Sequence, residues 1–133
     1  MNLNLSIPKN IENVQPKISV IGIGGAGCNA INTMINSKVT NINFLVANTD
    51  GQALSRSMSK TQIQLGKELT SGLGAGSDYI IGEQAALETI DEIMMELEDV
   101  NILFIATGMG GGTGTGAAPI IAQKAKEKGI LTI

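Results

Sequence analysis

Two hydroxyls set among five glycines are the residues of this chain best suited to chemistry: Gly110, Gly111, Gly112, Thr113, Gly114, Thr115 and Gly116, within ATGMGGGTGTGAAP at 106–119. An apolar run at 102–105 precedes them and a helix-like pattern at 117–128 follows. Strand, glycine loop, helix is the order that leaves unpaired backbone N–H groups at a helix N-terminus, where about half a positive charge accumulates. Such a terminus binds phosphate without a basic side chain. Glycine lets a bulky anion approach the backbone, and Thr113 and Thr115 add hydroxyl donors at short reach. At Gly112 a β-branched replacement is expected to block that approach. Pro119 is expected in or near the first helical turn, where a missing N–H costs least. A flexible linker does not fit, because the run lacks Ser, Pro and charge and lies between an apolar strand and a helix.

The same order recurs upstream. A short β-branched run at 18–21 leads into Gly22-Ile23-Gly24-Gly25-Ala26-Gly27-Cys28-Asn29, with Ile31, Met34 and Ile35 at helical spacing behind it. A second strand at 42–47 stops at Asn48-Thr49-Asp50-Gly51, and a short helix at 52–58 and a brief strand at 63–65 follow. Gly72-Leu73-Gly74-Ala75-Gly76-Ser77-Asp78 is a third glycine loop. It opens a long helix with Ala86, Ile90, Ile93, Met94 and Leu97 on one stripe. The seven carboxylates from Glu83 to Asp99 read as the solvated surface of that helix. Ala118, Ile121, Ala122 and Ala125 line the final helix, and another strand begins at 130–133. Residues 1–16, with Pro8 and Pro16 and no clean period, read as a leader, which leaves 17–133 as the folded part.

Strands alternating with helices imply an α/β fold, a doubly wound and mostly parallel sheet with helices on both faces. Ligands of such sheets bind beyond the carboxyl ends of the strands. The three loops hold 13 of the 17 glycines and should converge with the Asn48–Asp50 corner on one edge.

Composition narrows the classes. The 133 residues are 43% hydrophobic and 16% charged, which fits a well-buried globular fold rather than disorder. A net charge of −3 gives no electrostatic case for nucleic acid. Cys28 is the lone cysteine, and histidine is absent, which removes the commonest general base and metal ligand. No apolar run approaches the roughly 20 residues of a membrane span, so direct membrane insertion is not expected and the chain reads as cytoplasmic.

No Lys or Arg occurs between Lys67 and Lys124. A Walker-type loop needs a lysine after its last glycine, and none of these loops has one, so that NTPase class is set aside. Charge neutralisation must come from backbone amides, helix dipoles, a metal ion, or basic residues outside these 133. Two readings then stand. One is a dinucleotide (NAD or FAD) domain of an oxidoreductase. Gly22-x-Gly24-x-x-Gly27 fits its fingerprint, and Asp50, 23 residues past Gly27, is near where a ribose-binding acid belongs. It leaves the other two glycine loops unexplained. The second reading spreads a di- or triphosphate over several loops.

On four segments the chain resembles the FtsZ family, bacterial relatives of tubulin: IGIGGAGCNAINTMI at 21–35, ANTDGQAL at 47–54, QLGKELTSGLGAGS at 64–77 and TGMGGGTGTGAAPIIA at 107–122. The GGGTGTG heptad is that family's fingerprint, and the likeness covers essentially 18–133. It implies the nucleotide-binding part of a GTPase that polymerises head to tail with itself into the midcell division ring, with other division proteins and membrane tethers as further partners. By that likeness Gly24, Gly25, Ala26, Gly27, Cys28 and Asn29, with Gly110–Thr115, wrap the phosphates of GTP or GDP. Asn48, Asp50, Gly74, Ala75 and Gly76 lie by the terminal phosphate, with Mg2+ expected nearby. Guanine-reading and water-polarising residues are expected beyond Ile133, so no catalytic residue is assigned here and these residues alone are expected to be inactive.

Departures from the family pattern have local readings. Cys28 is read as a small residue packed under a phosphate loop rather than as an activated thiol. Asp78 favours the helix dipole, Thr107 reads as a solvated or capping hydroxyl, and the methionines, Met109 apart, read as core fillers. The chain itself reads as a fragment of a longer gene product. A non-catalytic subunit that holds nucleotide only for its own stability is the third class, separated from the GTPase by its lack of turnover.

Overall fold

A computed structural model describes residues 15–133. Most of the leader read at 1–16 therefore lies outside the described residues; Gln15 and Pro16 are exposed and belong to no helix or strand. Strands β1 (Ile18–Ile23), β2 (Asn43–Asn48), β3 (Thr61–Gln64), β4 (Ile102–Thr107) and β5 (Leu131–Thr132) form one sheet in the order β3-β2-β1-β4-β5. Every pairing is parallel. Helices α1 (Gly24–Asn36), α2 (Gly51–Ser55), α3 (Lys67–Thr70), α4 (Tyr79–Glu96) and α5 (Thr113–Glu127) connect them. The doubly wound fold read from the sequence is the one observed.

Burial explains the two faces. Ile21, Ile23, Leu45, Ala47, Ile63 and Leu103 point to one side, under Ala85, Ala86, Ile93 and Met94 of α4 and Ala117, Ala118, Ile121 and Ala125 of α5. Val20 and Val46 point to the other, against Cys28 and Ile31 of α1 and Leu54 of α2. Alternation along each strand sends successive side chains to opposite layers, as a sheet covered on both sides requires. No helix among the described residues is long and apolar enough to cross a membrane.

Several boundaries differ from the sequence reading. β1 runs on through Gly22 to Ile23 rather than ending at Ile21. A Cβ on Gly22 would meet the Ile31 side chain at 2.6 Å, so this glycine lets α1 close onto the strand rather than making a loop. α3, four residues long, carries no readable period in the sequence. α5 begins at Thr113, inside the glycine run, so Pro119 is its seventh residue and not a first-turn residue. Its missing N–H leaves the Thr115 carbonyl without an intrahelical donor. Of the methionines, Met94 is a buried core residue, whereas Met58 and Met95 are 52% and 75% exposed and fill no core.

Register fixes where the loops go. Ile23, the last residue of β1, is level with Ala47 in β2 and with Thr107, the last of β4, while Asn48 is level with Gln64. Four strands thus end on a common rim. The direction of winding reverses between β1 and β4, and at such a switch point the loops after adjacent strands part to leave a crevice.

Candidate functional site

The crevice is present. A cavity of about 330 Å3 lies between the β1–α1 turn and the β4–α5 loop, lined by Ile23, Gly24, Gly25, Ala26, Gly108, Met109, Gly111, Gly112, Thr113 and Gly114. Its walls are two helix N-termini. Ile23 caps α1 and Gly112 caps α5, and neither makes a side-chain cap hydrogen bond. First-turn amides without intrahelical partners therefore face the cavity, each terminus carrying about half a positive charge. Gly24, at φ +73°, turns the chain from strand to helix with no loop residue between, a conformation that favours glycine. A side chain there would also crowd the Gly114 amide nitrogen, 3.3 Å from the Cβ position.

Side chains hold the walls in place. Thr107 Oγ1 donates to the Ile23 carbonyl at 3.1 Å, locking the tips of β4 and β1 together, so it is a part-buried strut and not a solvated or capping hydroxyl. Gly110 N–H donates to Thr115 Oγ1 at 2.8 Å, which folds the glycine loop back over the first turn of α5 and leaves the Thr115 proton for another acceptor. Thr113 Oγ1 lies 2.6 Å from Thr49 Oγ1, joining α5 to the corner after β2.

The other predicted residues form the flank of the same rim. Asn48 is buried; its Oδ1 accepts from the Asp50 N–H at 3.3 Å, and its Nδ2 faces Cys28 Sγ at 4.0 Å. Asp50 Oδ1 accepts from Gln52 and Ala53 N–H, at 2.9 and 3.1 Å, and so caps α2. The third glycine loop reaches this corner through Gly74 N–H, which donates to the Thr49 carbonyl at 3.3 Å, and through Gly51 N–H, which donates to the Gly72 carbonyl at 3.0 Å. It also abuts Gly112. A Cβ there would lie 2.8 Å from Asp78 N and 3.0 Å from Ala75 Cβ, so the space at Gly112 seats the third loop. The open backbone expected there is found instead at Gly25, Gly110 and Gly111, where a Cβ would meet nothing within 4 Å. Gly76 is equally open, and Asn29 is exposed on α1 one turn from the cavity.

Cys28 is buried beneath the β1–α1 turn among Val20, Ile31, Val46 and Leu54. Burial raises its pKa above the ordinary thiol value, outweighing the Asn48 hydrogen bond that lowers it, so the thiol is not activated. Asp78 caps α4, accepting from Ile80 N–H at 2.9 Å. Three of the seven carboxylates have partners: Glu88 accepts from the Glu68 and Leu69 N–H groups of α3, Glu92 pairs with Lys67, and Asp99 pairs with Lys17.

Comparison with known proteins fits this geometry. The profile of the Tubulin/FtsZ family, GTPase domain, matches residues 17–133. The chain belongs to this family. Its sequence is 54% identical over 127 residues to the cell division protein FtsZ of Wolbachia sp, covering 96% of this chain and 32% of that protein. It is 55% identical over 118 residues to the mitochondrial division protein fszA of Dictyostelium discoideum, covering 89% of this chain and 23% of the relative. Among solved structures it is similar to an empty FtsZ dimer from M. jannaschii, with a TM-score of 0.86 and 42% identity over 90% of this chain and 35% of the other. The chain spans about a third or less of the length of these FtsZ-family relatives.

Sequence reasoning missed two contributors to the site. Thr49 lies between two residues singled out for it, and Thr70 Oγ1 reaches the Thr49 carbonyl at 3.4 Å from α3. Their roles depend on which strand tips become neighbours, and no spacing along the chain carries that.

Proposed function

We propose that this chain is the nucleotide-binding part of a GTP-hydrolysing cytoskeletal protein that assembles head to tail with itself in the bacterial division ring. The observation that carries the reading is the pair of uncapped helix N-termini, α1 and α5, facing one cavity on a rim with no Lys or Arg in its glycine loops. Such an arrangement suits a polyphosphate held by main-chain amides. The residues assigned to it are Gly24–Asn29 and Gly110–Thr115 around the phosphates, with Asn48, Asp50 and Gly74–Gly76 beside the terminal one. Mg2+ fits as a companion of the nucleotide. The described residues offer no cluster of three ligating side chains, and this ion is ordinarily held by phosphate oxygens, water and one or two carboxylates. When bound it would neutralise phosphate charge.

Self-association is supported by apolar side chains left on the rim: Leu73 is 88% exposed, Met109 69% and Tyr79 56%. A subunit stacked on this rim would cover both them and the nucleotide. That agrees with hydrolysis completed by a neighbouring copy, in the cytoplasm at midcell, with tethers and other division proteins engaging parts of the protein beyond these residues. The dinucleotide reading accounts for one glycine loop and leaves the other two on this rim unexplained. Equilibrium titration of the full-length protein with fluorescent GTP is expected to give saturable binding that NAD does not displace. Absence of saturation, or displacement by NAD alone, would refute the proposal.

A further inference from the structure

We infer that Thr49 is a positioning residue that aims the Thr113 hydroxyl proton into the cavity, toward the phosphate of the nucleotide proposed above. The inference rests on that reading. Thr113 is the first residue of α5 and lines the cavity; Thr49 is fully buried behind it, and their oxygens are 2.6 Å apart. The pair holds two hydroxyl protons, and one of them makes the bond between the oxygens. If Thr113 donated, the Thr49 proton would be left in a buried place where, among the described residues, no other acceptor is within reach. An unmet buried donor is disfavoured by a free energy comparable to a lost hydrogen bond. Thr49 therefore donates, Thr113 Oγ1 accepts, and the Thr113 proton is left to point outward.

Thr49 can hold this aim because its backbone is fixed from two further sides. Its carbonyl accepts from Gly74 N–H at 3.3 Å and shares with the Gly66 carbonyl the proton of Thr70 Oγ1, which lies 3.4 Å from the one and 3.1 Å from the other. One buried residue thus ties together the β2 corner, the third glycine loop, α3 and the first turn of α5. A hydroxyl pre-aimed at an anionic oxygen makes a charge-assisted bond with little reorganisation.

The test uses the full-length protein titrated with fluorescent GTP, with unfolding by urea followed in parallel. Wild type is expected to bind saturably, Thr49→Val about tenfold more weakly, and Thr49→Ser within twofold of wild type, since serine restores the donor. Thr113→Val is expected to lose as much as Thr49→Val, and the double variant no more than Thr113→Val alone, because the two hydroxyls act as one device. Wild-type affinity in Thr113→Val or in folded Thr49→Val, or Thr49→Ser as weak as Thr49→Val, overturns the inference. A wild-type full-length protein that does not saturate removes the nucleotide reading and this inference with it; that outcome is read before any variant.

Discussion

Helices α2 and α4 bring their own anion to their N-termini; α1 and α5 do not. Asp50 and Asp78 accept first-turn N–H bonds at 2.9–3.1 Å, as an N-cap aspartate ordinarily does. Ile23 and Gly112 hold the same position on α1 and α5 and offer no acceptor. All four termini lie at the tips of the sheet or the loops beside them, so a difference in solvent does not account for the contrast. The capped pair is internally satisfied and serves stability. The uncapped pair faces a cavity and is open to an anion from outside.

Putting a carboxylate on the open pair should have the largest effect. Gly111→Asp adds a side chain where a Cβ meets nothing within 4 Å, so the fold is expected to stay intact. GTP affinity is expected to drop about 100-fold as the carboxylate repels phosphate and competes for the amides. Titration beside a urea midpoint measures both, and unchanged affinity would end the distinction between the two kinds of terminus. The reciprocal change should be smaller and of the other kind. Asp78→Ala is expected to cost about 1 kcal/mol of stability and to leave GTP affinity within twofold. A loss of binding as large as that of Gly111→Asp would show that the capped termini also serve the ligand.

The smallest effect concerns Cys28, which lies within the first turns of α1 where an exposed thiol would be acidified. Burial prevails and its pKa is raised, so the native chain keeps this proton at pH values where the unfolded chain has lost it. Its contribution to stability is full below the ordinary thiol range and lost as pH rises through it toward the raised folded value. Urea midpoints of wild type and Cys28→Ala measured from about pH 7 to 10 should therefore converge as pH rises through the thiol range. Midpoints that diverge as pH rises would mean that the helix terminus outweighs burial.

Much of this was legible in the chain because glycine is costly inside helices and strands, so its clustering marks backbone set aside for a purpose. The three loops, the alternation of elements and the rim they share follow from that. Gly22, Gly114 and Gly116 misled for the same reason. Each was read as loop, yet Gly22 lies within a strand that α1 packs on, and the other two lie in the first turns of α5. A Cβ on Gly116 would lie 2.5 Å from Glu83 N, so the glycine allows α4 and α5 to touch backbone to backbone. Within the Asn48–Asp50 corner the role of Thr49 is not legible, because a hydroxyl near a strand end has no period to betray it. Only the register that lines up β2, β1 and β4 makes it a neighbour of α5.

The glycine loops of the rim contain no basic side chain, and this bears on how ionic strength acts on the molecule. A grip made of peptide dipoles has no condensed counterions of its own to release. A chain that already carries −3 would become more negative with the proposed nucleotide bound. With the proposed nucleotide bound, the negative potential at that end would deepen, and loss of the terminal phosphate would relieve it. Any surface that stacks on this end meets two electrostatically different faces, distinguished by the phosphate count alone.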